Sequence, residues 1–331
     1  MSIHRVAIVG GAGFVGSALA EQLSKNYSVT VVDRNQPKNT RHDFLPCDIR
    51  NYNEVETALK GMDVVIHTAI IQIPMINQER RLGYEVNIIG TQNVCEAVRN
   101  SSTAKGMIIT GSWHTIGERK IEGVVDEKFG FRPDMVEDRA KLYALCKVGQ
   151  EAIVRLHDEM QKDKIFGVIR IGTVLGKGMP PNTAANLFIE NALTGKALTP
   201  FEHSMHRPML YVDVNDVCYA FESFLRKISS GEPSSVGSID HVFNVYYPEP
   251  ITILELANLV KQCVRSETSG RIDPEVKVIS TGQEIVFSDI DKSKMTVDIR
   301  KLRDLIGSWK LTNPRETIAQ LVRERARSST V

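Results

Sequence analysis

The sequence predicts a doubly wound α/β protein, a parallel sheet covered on both faces by helices, with a smaller C-terminal substrate lobe interleaved with it. Three observations predict this. Short β-branched runs alternate with longer amphipathic stretches through the first half of the chain. The runs are apolar throughout, as strands buried on both faces are. A glycine-rich loop sits at the first strand-to-helix turn.

Taken in order, the apolar runs fall at residues 6–9, 29–32, 64–67, 107–110 and 168–171. Amphipathic patterns at 14–23, 53–59, 82–98 and 142–157 fill the gaps with helices. After Gly172 the texture changes. A Gly/Pro/Asn loop at 176–182 leads to a short helix over 187–193, an irregular stretch over 197–208 and an extended segment over 209–212. Asp213 is placed to cap a helix over 213–225. Residues 229–238 form a Ser/Gly/Pro-rich loop, and 242–245 is a buried strand returning to the main sheet. Thr252, with Glu255 three residues later, opens a helix in a capping-box pattern. Helical patterns near 299–305 and 314–323 follow. The expected division is a nucleotide-binding body over 1–172 and a mainly substrate-binding lobe over 173–331, with roughly 209–246 returning to the body.

Of 331 residues, 42% are hydrophobic and 24% charged, and the formal net charge is +1. That balance carries no large field of one sign, so neither nucleic acid nor an anionic membrane is an expected partner. Cys47, Cys95, Cys146, Cys218 and Cys263 are far apart with no C-x-x-C pair, which argues against a disulfide framework or a metal site. The N-terminal apolar run is too short for a signal segment, and no stretch reaches the ~18–20 apolar residues of a membrane span. The expectation is a cytoplasmic protein.

Gly10, Gly13 and Gly16 follow the first strand and open the first helix, with Phe14 and Val15 between the last two. This spacing gives a tight turn, close backbone approach to a pyrophosphate, and helix N–H groups facing anionic oxygens. Asp33 ends the second strand, where a carboxylate accepts ribose hydroxyls and repels a 2′-phosphate, so the cofactor expected is NAD. Arg34 beside it keeps NADP as a minority option. Asp48, followed by Ile49, either bonds an adenine amino group or caps a turn.

Tyr143 and Lys147 share a helix face. A cation beside a phenol lowers its pKa and makes it a usable general acid/base. Ser112 lies just past the strand at 107–110, at the end where such a sheet binds ligands. It can hold a substrate oxygen and share a proton with Tyr143.

These motifs resemble the extended short-chain dehydrogenase/reductase superfamily, in its NAD-dependent epimerase/dehydratase branch, and in particular sugar-nucleotide enzymes of the UDP-glucose 4-epimerase kind. The resemblance covers nearly the whole chain. It implies a Rossmann body, NAD, and Ser112, Tyr143 and Lys147 as the catalytic set. It implies adenosine contacts at Asp33, Asp48 and Ile49, and cofactor contacts at His67 and Ala69 and at Asn87 of an N-x-x-G-T motif. Val9 and Ile70 depart from the usual Thr and Ala, and Thr173 stands where a nucleotide-binding Asn is usual. Asn186, Leu187 and Arg207 fall where such enzymes hold a diphosphate; for Arg207 the alternative is a surface ion pair. Members commonly form homodimers by pairing the helices here at 82–98 and 142–157.

Trp113 and His114 occupy the stretch where dehydrating and decarboxylating members carry carboxylates. Trp113 either crowds the substrate pocket or turns away to pack, and His114 is either an acid/base or a locally bonded loop residue. The leading expectation is a nucleotide-sugar 4-epimerase: oxidation at C4, rotation of the 4-keto sugar, and return of the hydride. The alternatives are a net dehydrogenase or ketoreductase on a nucleotide sugar or another secondary alcohol, and a non-catalytic dinucleotide sensor.

Overall fold

The computed structural model describes residues 3–39, 41–161, 163–231 and 239–328. Seven strands form one parallel sheet: β1 (Arg5–Val9), β2 (Ser28–Asp33), β3 (Asp43–Pro46), β4 (Val64–His67), β5 (Gly106–Ser112), β6 (Ile165–Ile171) and β7 (Val242–Val245). Their order is β7-β6-β5-β4-β1-β2-β3, so the order reverses at β1/β4, where a doubly wound sheet opens its ligand crevice. The α/β expectation therefore holds.

Alternation along the strands explains why both faces are covered. Val6 and Ile8 of β1 enter one apolar cluster, Ala7 and Val9 the other. The first cluster continues through α1 (Phe14–Leu23) into the C-terminal lobe. The second is closed by α2 (Tyr52–Leu59), α3 (Thr91–Asn100) and α4 (Lys141–Met160). Lys164, just before β6, donates to the Val98, Arg99 and Ser101 carbonyls and so caps the C-terminal end of α3.

One expected helix is different. The pattern over 82–98 is read as a single α-helix, but the structure holds a short helix at Arg80–Tyr84, a π turn at Glu85–Gly90, and then α3. The register shift turns Asn87 inward. There it accepts from Ile71 N at 2.7 Å and donates to Ile71 O at 3.1 Å, pinning the loop after β4.

The lobe uses α5 (Ala184–Leu193), α6 (Val214–Ser230), α7 (Ile253–Glu267), α8 (Arg300–Ile306) and α9 (Pro314–Ser328). Tyr211–Asp213 pairs with Thr173–Leu175, and Met295–Val297 with Gly123–Val125, in ladders separate from the main sheet. Asp213 caps α6 through Asn215 N and also accepts from Thr317 of α9, while Asp216 accepts from Trp309 and Thr312. These carboxylates tie the C-terminal segment to the body. Of the loop expected over 229–238, Ser229 and Ser230 end α6, and 232–238 lie outside the described residues.

Candidate active site

The β1-to-α1 turn sets the first wall of the site. Gly10 has φ +82, a backbone state that L side chains rarely adopt, and a Cβ there would land 2.6 Å from Ala69 Cα. Gly13 is different. Its φ of −75 suits any residue, and a Cβ there meets only Gly10 O, at 3.3 Å. Protein packing thus gives no reason for glycine at 13. As N-cap it carries no side chain, so the first N–H groups of the ten-residue α1 are left for an anion. Phe14 and Val15 are half-buried in its first turn, and Gly16 is buried against the loop. Asp33 Oδ2 accepts from Ala12 N at 3.1 Å and Oδ1 from Asn35 N at 2.9 Å, which fixes its carboxylate beside the glycine loop. A bare helix N-terminus with an anchored carboxylate at the adjacent strand end fits a dinucleotide: pyrophosphate on the helix, ribose on Asp33.

The other residues expected near an adenosine or nicotinamide are differently engaged. Asp48 takes the Arg50 guanidinium through Nε at 3.0 Å, and that hydrogen bond holds its carboxyl below the usual range. Ile49 is buried. His67 is fully buried and bonded to Thr91 Oγ1 at 3.0 Å. Burial, with Lys147 nearby, pushes its pKa down to about 3, so its ring is neutral. Ala69 lies half-buried against Gly10.

Ser112, Tyr143 and Lys147 come together at the C-terminal end of β5. Lys147, on α4, donates to Thr110 O at 2.7 Å, two residues before Ser112. Tyr143 lies one turn earlier on α4. Burial pushes the Tyr143 phenol up to about 12, with the Ser112 side chain pulling the other way. Burial also brings Lys147 down to about 7. Burial thus outweighs the lowering that the neighbours of Tyr143 supply. The ammonium is committed to a backbone carbonyl and is itself easily neutralised.

Beyond Ser112 the chain turns through a short 3₁₀ helix, Trp113–Ile116, capped by Ser112. Trp113 turns away from the cleft: it is 1% exposed and donates to Thr173 Oγ1 at 3.3 Å. Its ring packs against that of His114, with centroids 4.7 Å apart. Thr173 is held between Trp113 and the Leu210 carbonyl. His114 keeps an exposed edge, its Nδ1 3.1 Å from Ser112 Oγ and its ring 5.4 Å from the Tyr143 ring, edge to face.

Arg207 is not at the surface. It is buried and paired with Glu137, with Glu118 Oε1 at 3.7 Å, although its Nε has no hydrogen-bond partner among the described residues. Burial alone would raise the Glu118 pKa; Arg207 and His114 overcome this and hold it well below the carboxylate range. Asn186 Oδ1 accepts from Arg325 of α9, and Leu187 is exposed on α5. The diphosphate expectation thus meets one cation spent on two carboxylates and one amide spent on an arginine. Glu118 and Glu137 were not foreseen. The only local signal was the four-residue spacing of His114 and Glu118. Among the described residues no group of three or more His, Cys, Asp or Glu could hold a metal ion, and no helix is long and apolar enough to cross a membrane.

Bovine sterol-4-alpha-carboxylate 3-dehydrogenase, decarboxylating, is 32% identical over 197 residues, 58% of this chain and 52% of its own length. The chain thus spans about half of that relative. UDP-glucose 4-epimerase of Rickettsia bellii is 26% identical, covering 65% of this chain and 62% of the relative. The solved structure of MoeE5 in complex with UDP-glucose and NAD superposes with a TM-score of 0.76 over 99% of this chain and 100% of that one, at 21% identity, a likeness of fold. The model of the NAD dependent epimerase/dehydratase family matches residues 6–245, most of the chain. With that match laid over the glycine loop, Asp33 and the Ser112–Tyr143–Lys147 cluster, the chain belongs to the NAD dependent epimerase/dehydratase family, and NAD is its cofactor.

Proposed function

We propose that the chain exchanges a hydride with the secondary-alcohol carbon of a nucleotide sugar and works as a redox-neutral C4 epimerase. The observation that carries the alcohol chemistry is the convergence of Ser112, Tyr143 and Lys147 at the end of β5, two strands from the β1 that leads into the glycine loop. NAD, when bound, supplies hydride acceptance and return. Ser112 holds the alcohol oxygen, Tyr143 exchanges its proton, and Lys147 holds the floor of the site through Thr110. Elimination needs a free carboxylate, and Glu118, in contact with His114, is also committed to Arg207. The nucleotide sugar is supported by the UDP-glucose of the MoeE5 complex and by the name of the Rickettsia relative.

One observation favours a second reading, a net NAD-dependent dehydrogenase on a secondary alcohol without a nucleotide. Arg207, the lobe cation expected at a diphosphate, is neutralised by Glu118 and Glu137, and the bovine relative is named a dehydrogenase. A panel of sugar nucleotides decides, followed by NADH absorbance and by product NMR. Inversion at C4 without NADH build-up is expected. Stoichiometric NADH moves the assignment to the dehydrogenase, and failure of every sugar nucleotide to bind or react removes the nucleotide sugar.

The partner in this reading is a second copy of the chain. Leu145, Leu156 and Met160 stand on one face of α4, each about half exposed, with Tyr84 and Ile89 exposed on the neighbouring helical stretch. Leu145→Glu with Leu156→Glu should convert a dimer to a monomer in sedimentation. A wild-type monomer would exclude this pairing.

A further inference from the structure

The family's catalytic set leaves a buried carboxylate unexplained. Glu118 is 1% exposed, and its Oε1 makes no formed hydrogen bond among the described residues. That oxygen lies 3.3 Å from His114 Nε2 and 3.7 Å from the Arg207 guanidinium. Glu118 Oε2 accepts from Glu137 N at 2.9 Å. Burying a carboxylate is costly unless something nearby needs its charge. Arg207 balances that charge and His114 faces the same oxygen, with its other nitrogen 3.1 Å from Ser112 Oγ.

We propose that His114, oriented by Glu118, is the proton store of this site and acts on Tyr143 through Ser112. This rests on the hydride-exchange reading only in needing an alcohol proton to move; it does not depend on which alcohol. Glu118 is held as a carboxylate and can only accept, so a neutral His114 carries its hydrogen on Nε2, the nitrogen facing that carboxylate. Nδ1 is then an acceptor, and the Ser112 hydroxyl must donate to it. Ser112 Oγ also accepts from His114 N at 3.2 Å, which leaves one lone pair for the Tyr143 hydroxyl.

The proton step follows. The Tyr143 O–H bond breaks and its proton joins Ser112 Oγ as the Ser112 O–H proton passes to His114 Nδ1. The products are a Tyr143 phenolate and a His114 imidazolium paired with the Glu118 carboxylate. No electrons move, and no co-reactant is needed. The phenolate then takes the proton of the substrate hydroxyl, and the same steps reversed return it. This supplies a phenolate to a tyrosine that burial holds in the phenol form. The layout is that of a serine–histidine–carboxylate triad, with a phenol rather than an acyl group as the partner of the serine. His114 is a positioning and relay residue; Tyr143 remains the group at the reacting oxygen.

The charged and titratable side chains around the His114 ring are Glu118 on its own segment, Tyr143 from α4, and Arg207 and Glu137 behind Glu118. The test has a ligand-free arm and a turnover arm. In the first, ¹⁵N-histidine NMR of the full chain, with the resonance assigned by its loss in His114→Asn, should show the Nε2–H tautomer at neutral pH. The Nδ1–H tautomer would overturn the relay. In the second arm, with UDP-glucose as probe, His114→Asn should lower kcat by about 10²-fold or more, leave KM within a few-fold, and abolish the acid limb of the kcat–pH profile. Glu118→Gln should do the same to kcat; if it does not fold, His114→Asn still decides. A His114→Asn enzyme with wild-type kcat, or a slower one with the acid limb intact, refutes the relay. Should UDP-glucose not react at all, the sugar assignment suffers, while the tautomer still decides this inference.

Discussion

Gly10→Ala and Gly13→Ala should separate folding from cofactor binding within one loop. At Gly10 the φ of +82 forces Ala into a left-handed state costing about 1–3 kcal/mol. The new Cβ also meets the Ala69 and Thr68 backbone, which cannot swing away as a side chain can, adding ~1–3 kcal/mol of overpacking. At roughly 2–4 °C per kcal/mol, Gly10→Ala should lower Tm by on the order of 5–20 °C. At Gly13 the backbone, φ −75 and ψ 175, is open to Ala, and the single contact at 3.3 Å asks Gly10 O to give by little. The restricted unfolded chain returns about 0.4–1 kcal/mol, so Tm should stay within a few degrees. Yet the methyl stands at the uncapped N-terminus of α1. Loss of one charge-assisted hydrogen bond there costs about 1.5–3 kcal/mol, or roughly a 10- to 150-fold weaker Kd for NAD. Thermal scans and calorimetric titration with NAD measure both quantities. A Gly13→Ala protein that binds NAD as tightly as wild type would show that no pyrophosphate approaches at residue 13.

Three further outcomes are expected. Tyr143→Phe keeps the ring and removes the proton carrier; turnover of whichever substrate the panel identifies should fall by about 10²–10⁴ with NAD affinity unchanged, and near-normal turnover would dismiss the assigned mechanism. Asp33→Ala should narrow the preference for NAD⁺ over NADP⁺ in paired titrations, because the anchored carboxylate is the group a 2′-phosphate would meet; an unchanged ratio counts against it. Lys147→Met tests the buried ammonium, whose pKa is lowered by burial from its ordinary 10.5 to about 7. Between those values the unfolded chain holds a proton that the folded chain does not, so the wild-type protein gains stability from this group as pH rises from about 7 toward 10.5. The Met variant should therefore be relatively more heat-stable near pH 6, with an advantage that shrinks toward pH 10; a constant difference across that range contradicts the burial.

The fold was legible where burial is two-sided. β1, β4 and β6 are apolar at nearly every position because both of their faces are covered, and such runs announce themselves without alignment or contacts. The edge strand β3, Asp43–Pro46, has mostly exposed residues and no such run, so its limits were not visible. The π turn at Glu85–Gly90 was invisible for another reason. Its residues fit a helical period, and the extra residue per turn is chosen by Gly90, where a Cβ would strike Ile49, and by Asn87 reaching Ile71. The two- and three-residue ladders of the lobe are too short to leave a periodic trace.

Within the site, legibility followed the range of the interaction. Gly10, Gly13 and Asp33 could be picked out together, and so could Tyr143 and Lys147, because one turn or one helix face sets their spacing. The surroundings of Arg207 were not legible, since Glu118 and Glu137 arrive from a different part of the chain. A guanidinium serves a diphosphate only while its charge is unspent. Here two carboxylates share it, and a phosphate entering would have to displace one of them or borrow the unpartnered Nε. The same pairing lowers the Glu118 pKa and so keeps a negative charge behind His114. The arginine that sequence position assigns to substrate is thus the counter-ion of the carboxylate behind His114.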